Sequence, residues 1–159
     1  MASVLLVRRL EAGAALPAGV LRRLQLSLSA DQRTSLRGHR RSSCGQDLLL
    51  QLPRDAALQP GEWLLSDDAQ VAVAVVAAPE PLLRVTAAAD PLALMQAAYH
   101  LGNRHVALEL HPDHLLLQHD TVLLDLLRRR GLGVEAIEAP FLPESGAYAA
   151  VEGHGHHHH

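Results

Sequence analysis

LLRVTAAADPLALMQAAYHLGNRHVALELHPDHLLLQHDTVLLDLLRRRGLGVEAI, residues 82–137, is the stretch that decides the fold of the second half of this chain. Leu82 to Thr86 is apolar and β-branched enough for a strand. Asp90-Pro91 then opens a helix, with Asp as N-cap and Pro at the first helical position. That helix carries Leu92, Met95, Ala98 and Tyr99 and stops near Gly102-Asn103. His105 to Leu110 alternates and predicts a strand. His111-Pro112-Asp113-His114 has the chemistry of a tight turn, and Leu115 to Gln118 is the returning strand. Asp120 caps a second helix through Val122, Leu123, Leu126 and Leu127. It ends on Arg128, Arg129 and Arg130, where cations favour the helix dipole, and Gly131 or Gly133 stops it. Gly133 to Ile137 is a last strand. The order βαββαβ predicts a ferredoxin-like arrangement.

Outward from this stretch, the first 78 residues read as short strands: Val4–Leu10, Leu24–Leu28, Thr34–Arg40, Asp47–Leu52, Trp63–Ser66 and Val71–Ala77. Turn signals such as Pro60-Gly61 and Asp67-Asp68 separate them. They predict a small β-sandwich or barrel-like domain. Ala78-Pro79-Glu80-Pro81 reads as an extended linker. From Pro140 onward the chain is Pro, Gly, Ala and His and predicts a mobile tail. The expectation is an α+β protein: a small all-β domain at 1–78 as an interaction module, a ferredoxin-like domain at 79–148, and a disordered His-rich tail at 149–159.

The chain has 159 residues, 48% of them hydrophobic, and a net charge of −3. It can bury a core, and the near-balance of charge argues against a nucleic-acid binder. Cys44 is the sole cysteine. A lone thiol, no signal-peptide pattern and no long apolar run predict a protein of the reducing cytoplasm, not of the membrane. Arg37-Gly-His-Arg-Arg41 reads as a solvated edge strand, since arginine blunts edge pairing.

Histidine stands out, at 11 residues. Five fall between His100 and His119, and five more are His154, His156, His157, His158 and His159. Neutral imidazole suits nickel, copper and zinc. The terminal run offers five such donors. It is broken by Gly155 and stops at four, unlike the six uninterrupted histidines of a usual expression tag, which is the alternative reading. If a hairpin closes at Pro112-Asp113, His105 and His119 come to the same end of it. His111 and His114 flank the turn at the other end and, with His100, read as solvated polar residues. His119 admits both readings. No nucleotide-binding loop, Gly-x-Ser-x-Gly or His-Glu-x-x-His motif occurs, so no catalytic residue is assigned.

Three motifs in order resemble the metal-binding half of the UreE family of urease accessory proteins. They are Gly102-Asn-Arg-His105, His119-Asp-x-Val-Leu123 and Pro140-Phe-x-Pro-Glu-x-Gly-Ala-Tyr148. Pro79-Glu-Pro-Leu-Leu-Arg-Val-Thr86 is similar to the family's linker and first strand, and Leu-Pro-Arg54 is consistent with it. The resemblance implies a non-enzymatic nickel metallochaperone for urease assembly. It implies a homodimer in which His105 of each subunit holds one Ni(II), with His119 as auxiliary ligand and the tail histidines as extra capacity. Zn(II) and Cu(II) are conceivable cargo. Thr121 stands where some relatives place a further histidine. The implied partners are apo-urease and its accessory proteins, including a GTPase. The rival expectation is a general nickel, copper or zinc buffer without a client.

Overall fold

The computed structural model describes residues 2–146. It is a mixed α+β fold with two sheets and three short helices among those residues, and it divides into two compact units between Ala78 and Pro79. No described helix is long and apolar enough to cross a membrane.

The first unit contains β1 (Val4–Leu10), β2 (Arg22–Leu28), α1 (Ala30–Arg33), β3 (Arg37–Arg41), β4 (Asp47–Gln51), β5 (Trp63–Ser66) and β6 (Val71–Ala77). They form one six-stranded sheet in the order β2-β6-β5-β1-β4-β3. Leu26 and Leu28, Leu48, Leu50 and Leu52, and Val71, Val73 and Val75 alternate along their strands and meet in one cluster with Leu6, Leu58 and Leu64. That is the period of two a pleated strand imposes. At one edge of the sheet, Ser43 of the β3–β4 turn donates its N–H to the Gln25 carbonyl of β2, the opposite edge strand.

Residues 34–40 are not one strand. Ser29 caps α1 by accepting from the Gln32 N–H, and the Gln32 side chain accepts from the Ser29 N–H. This Ser-x-x-Gln capping box stops the chain from extending until Arg37. β3 then lies at the sheet edge, as its arginines suggest. Its carbonyls at Arg37 and His39 accept from the Ser35 hydroxyl and the Arg40 guanidinium, so two acceptors on the strand are already occupied.

The second unit holds β7 (Pro79–Thr86), α2 (Pro91–Asn103), β8 (Glu109–Leu110), β9 (Leu115–Gln118), α3 (Thr121–Arg129) and β10 (Gly133–Pro140). The sheet order is β10-β7-β9-β8, every neighbouring pair antiparallel. Leu83, Val85, Leu115 and Leu117 turn one face of the sheet into a core shared with Leu94, Ala97 and Leu101 of α2 and Leu127 of α3.

The expected linker is part of β7, paired with β10 from Pro79↔Pro140 onward. The prolines are tolerated for a geometric reason. The Pro81 carbonyl accepts from the His119 N–H, on the β9 side of β7, where the ladder begins only at Leu82↔Gln118. In a strand a residue's N–H and C=O point the same way, so the donors missing at Pro79 and Pro81 face away from the β10 ladder.

The last strand runs to Pro140, three residues beyond the expected Ile137. Phe141 is wholly buried. The chain then crosses from the β10 edge to the β8 edge, where Leu142 donates to the Glu109 carboxylate and Glu144 to the Leu108 carbonyl. Residues 140–144 are therefore tied to the second unit, not tail. The expected tail, 149–159, lies outside the described residues.

Candidate metal centre

His105 is not in a strand. Only Glu109 and Leu110 form β8, and His105 sits directly past the C-terminus of α2 with φ +60°. Its N–H donates to the Gly102 carbonyl at 2.9 Å, and the Val106 N–H reaches back to the Leu101 carbonyl at 3.1 Å. These two bonds are a Schellman motif, closed by Val106 packing on the cluster that contains Leu101. The end of α3 repeats it. Gly131 donates to Arg128 at 3.0 Å and Leu132 to Leu127 at 3.2 Å, with φ +83° at Gly131. The same backbone position is filled once by glycine, which accepts it freely, and once by histidine, which does not. The His105 side chain is exposed.

His119 follows β9 directly, is exposed, and precedes Asp120, whose carboxylate accepts from the Leu123 N–H at 3.0 Å to cap α3. β8 and β9 are antiparallel, so the residues entering β8 and leaving β9 share one end of the sheet. His105 precedes β8 by four residues.

At the opposite end, His111 and His114 close the hairpin, the His111 N–H donating to the His114 carbonyl at 3.0 Å. Their rings stack 4.2 Å apart, 8° from parallel. His111 Nε2 pairs with Glu109 Oε2 at 2.6 Å, and His114 Nδ1 with Asp113 Oδ1 at 2.7 Å. The hydrogen bond from His114 holds the Asp113 carboxyl below its usual range. These rings are bound to carboxylates of their own chain. His100 is exposed, with Tyr99 edge-on at 5.4 Å. Cys44 is exposed, and the Ser42 hydroxyl beside it, 3.2 Å away, pulls its thiol pKa down. Among the described residues no three His, Cys, Asp or Glu side chains converge to hold an ion.

Two features were not read from the sequence. Glu109 bonds both His111 and the backbone of Leu142. In addition, the apolar positions of α2 split into two stripes. Leu94, Ala97 and Leu101 are buried, whereas Leu92, Met95 and Tyr99 are 59%, 67% and 67% exposed. Both triplets have helical spacing, and α2 is apolar on too many sides for periodicity alone to choose between them.

Residues 80–159 match the model of the UreE urease accessory protein C-terminal domain. The chain is 62% identical to a urease accessory protein UreE of Synechococcus sp. WH7805 over 133 residues, covering 84% of this chain and 75% of that protein. It is 60% identical to one from Synechococcus sp. CC9311, with 84% and 86% covered. A Burkholderia lata protein of the same name is 47% identical, with 86% of this chain and 65% of that one covered.

Proposed function

Because this chain belongs to the UreE family of urease accessory proteins, we propose that it is a non-catalytic nickel carrier for urease maturation, built around an exchangeable Ni(II) bound by His105. The observation that carries the reading is the choice of histidine at a left-handed helix-terminal position where α3 uses glycine. A conformation costing about 1 kcal/mol points to selection for the side chain rather than for the backbone.

One imidazole per chain under-coordinates an ion, so the reading needs donors from a second copy. His105 of each protomer contributes to one shared Ni(II), His119 serves as auxiliary ligand, and His154, His156, His157, His158 and His159 add capacity. The exposed stripe Leu92, Met95 and Tyr99, on the helix that ends just before His105, is the surface we assign to the homodimer. The βαββαβ order with sheet order β10-β7-β9-β8 supports a ferredoxin-like layout for 79–148, with 1–78 as a separate interaction domain. An open site of this kind releases its ion by ligand exchange, which suits delivery to the urease apoprotein through an accessory GTPase. Delivery takes place in the cytoplasm. Zn(II) and Cu(II) compete for the same imidazoles.

Calorimetric titration with Ni(II) tests the proposal. The full chain with its five terminal histidines replaced by alanine is expected to bind about one ion per two chains, and His105→Ala in that background to lose it. Equal binding by both proteins rejects the assignment. Nickel-dependent capture of apo-urease or its GTPase separates a carrier from a general metal buffer.

A further inference from the structure

Four strands stand at sheet edges: β2 and β3 in the first unit, β8 and β10 in the second. At three of these edges the chain itself engages outward carbonyls. On β2 the Gln25 carbonyl accepts from the Ser43 N–H, and on β3 the Arg37 and His39 carbonyls accept from Ser35 and Arg40. Beside β8 the Leu108 carbonyl accepts from the Glu144 N–H. β10 is different. It is eight residues long, and Gly133, Glu135, Ile137 and Ala139 face Thr86, Arg84, Leu82 and Glu80 of β7. The backbone groups of Val134, Ala136 and Glu138 point the other way, because alternate residues serve the two sides of a strand. Among the described residues nothing accepts from those three N–H groups. A long edge left open in this way templates a further strand.

The side chains select the occupant. Glu135 and Glu138 lie on opposite faces of β10, both exposed, and Arg84 comes no nearer to Glu135 than 4.0 Å. A second copy fits poorly. Antiparallel pairing of β10 with itself, in the register that uses all three donors, sets the two Glu135 side chains diagonally across one face, where like charges repel. We propose that β10 accepts an extended segment of a partner protein as a fifth strand of its sheet, one that carries lysine or arginine beside Glu135 and Glu138. Backbone pairing supplies the attachment and the glutamates supply the selection for a basic segment. The surface is independent of the nickel-carrier reading.

The test titrates the isotope-labelled full chain with a short acetylated peptide of alternating lysine and valine and reads amide hydrogen exchange by NMR. Exchange at Val134, Ala136 and Glu138 is expected to slow about tenfold on saturation, while Glu135 and Ile137, which face β7, change little. Ala136→Pro removes the central outward donor and no bond to β7. It is expected to abolish the protection, with the Glu135 and Ile137 amides reporting an intact sheet. Glu135→Lys combined with Glu138→Lys keeps every backbone group, so it decides the matter even where proline disrupts the strand. It is expected to weaken the basic peptide about tenfold and to admit a glutamate–valine peptide instead. Equal binding of a lysine–valine peptide methylated at every backbone nitrogen reduces the effect to charge attraction and overturns strand addition. Equal binding of the glutamate–valine peptide by the unaltered chain overturns the basic occupant. Protection of the same three amides in the chain alone, growing with its concentration, assigns the edge to a second copy and overturns the proposal, as does an absence of protection by the basic peptide.

Discussion

Val106 donates its backbone N–H to the carbonyl of Leu101 at 3.1 Å, and that bond holds His105, between them, in a left-handed conformation. The apolar packing of the same two residues keeps the turn closed. The histidine is displayed by a helix end rather than by a flexible loop.

Substituting His105 by glycine relieves the left-handed backbone. His105→Gly is expected to stabilise the fold by about 1 kcal/mol, while His105→Ala, which keeps a Cβ, leaves stability near its starting value. Urea denaturation of the three proteins measures this. A glycine variant no more stable than the alanine variant contradicts the strain argument.

Gly131 provides the reciprocal case. Its φ of +83° ends α3, and nothing crowds an added Cβ, so the effect is conformational alone. Gly131→Ala should destabilise by about 1 kcal/mol, read as a lower denaturation midpoint with an unchanged slope.

The two stripes of α2 should respond differently. Met95→Glu alters an exposed position and, if the proposed homodimer forms through this stripe, is expected to leave the fold intact while lowering the mass seen by light scattering to that of one chain. Leu94→Ala, at 7% exposure, should instead cost about 2–5 kcal/mol of stability through the cavity it leaves. A Met95→Glu protein of unchanged mass rejects the assignment of this stripe to the proposed dimer.

Arg9 and Glu62 form a two-pronged pair at 2.8 and 2.9 Å, with side chains 16% and 11% exposed. Arg9 also donates to the carbonyls of Ala56 and Ala57, pinning the loop before β5. Arg9→Ala leaves a mostly buried carboxylate without its cation, keeping the Gln59 N–H as a donor at 3.1 Å, so a loss of about 3 kcal/mol is expected by denaturation. The paired change to apolar residues should recover much of it.

Asp68 accepts from the Ser66 hydroxyl at 2.6 Å and from the Gln70 N–H at 3.0 Å, and the hydroxyl is the main reason its carboxyl sits below the usual range of 3.8. A depressed carboxylate stabilises the fold above its unfolded pKa, and that stability is lost as pH falls through the lower folded value. Stability should therefore decline on acidification below about pH 4. Asp68→Asn should flatten that part of the pH profile, and a slope unchanged in the variant counts against the turn.

The sequence by itself determined most of the elements, because their signals are local. Asp90-Pro91 and Asp120 cap helices wherever they fall, alternation marks Leu48, Leu50 and Leu52 as one buried face, and three motifs in order, at Gly102–His105, His119–Leu123 and Pro140–Tyr148, carry the family resemblance. The Ser29-x-x-Gln32 box was equally legible but lay inside an apparent strand. Other features depended on contacts distant in sequence. Pro79 and Pro81 belong to a strand because β10 pairs with it and β9 stops at Leu82. Leu94, rather than Met95, is buried because the sheet lies on that side of α2. His105 adopts a left-handed turn because Val106 must pack beside Leu101. Residues 142–144 are held because Glu109, 33 positions away from Leu142, supplies the acceptor. Local propensity specifies which elements form, whereas the face a helix buries and the partner a carboxylate finds depend on which surfaces the folded chain brings together.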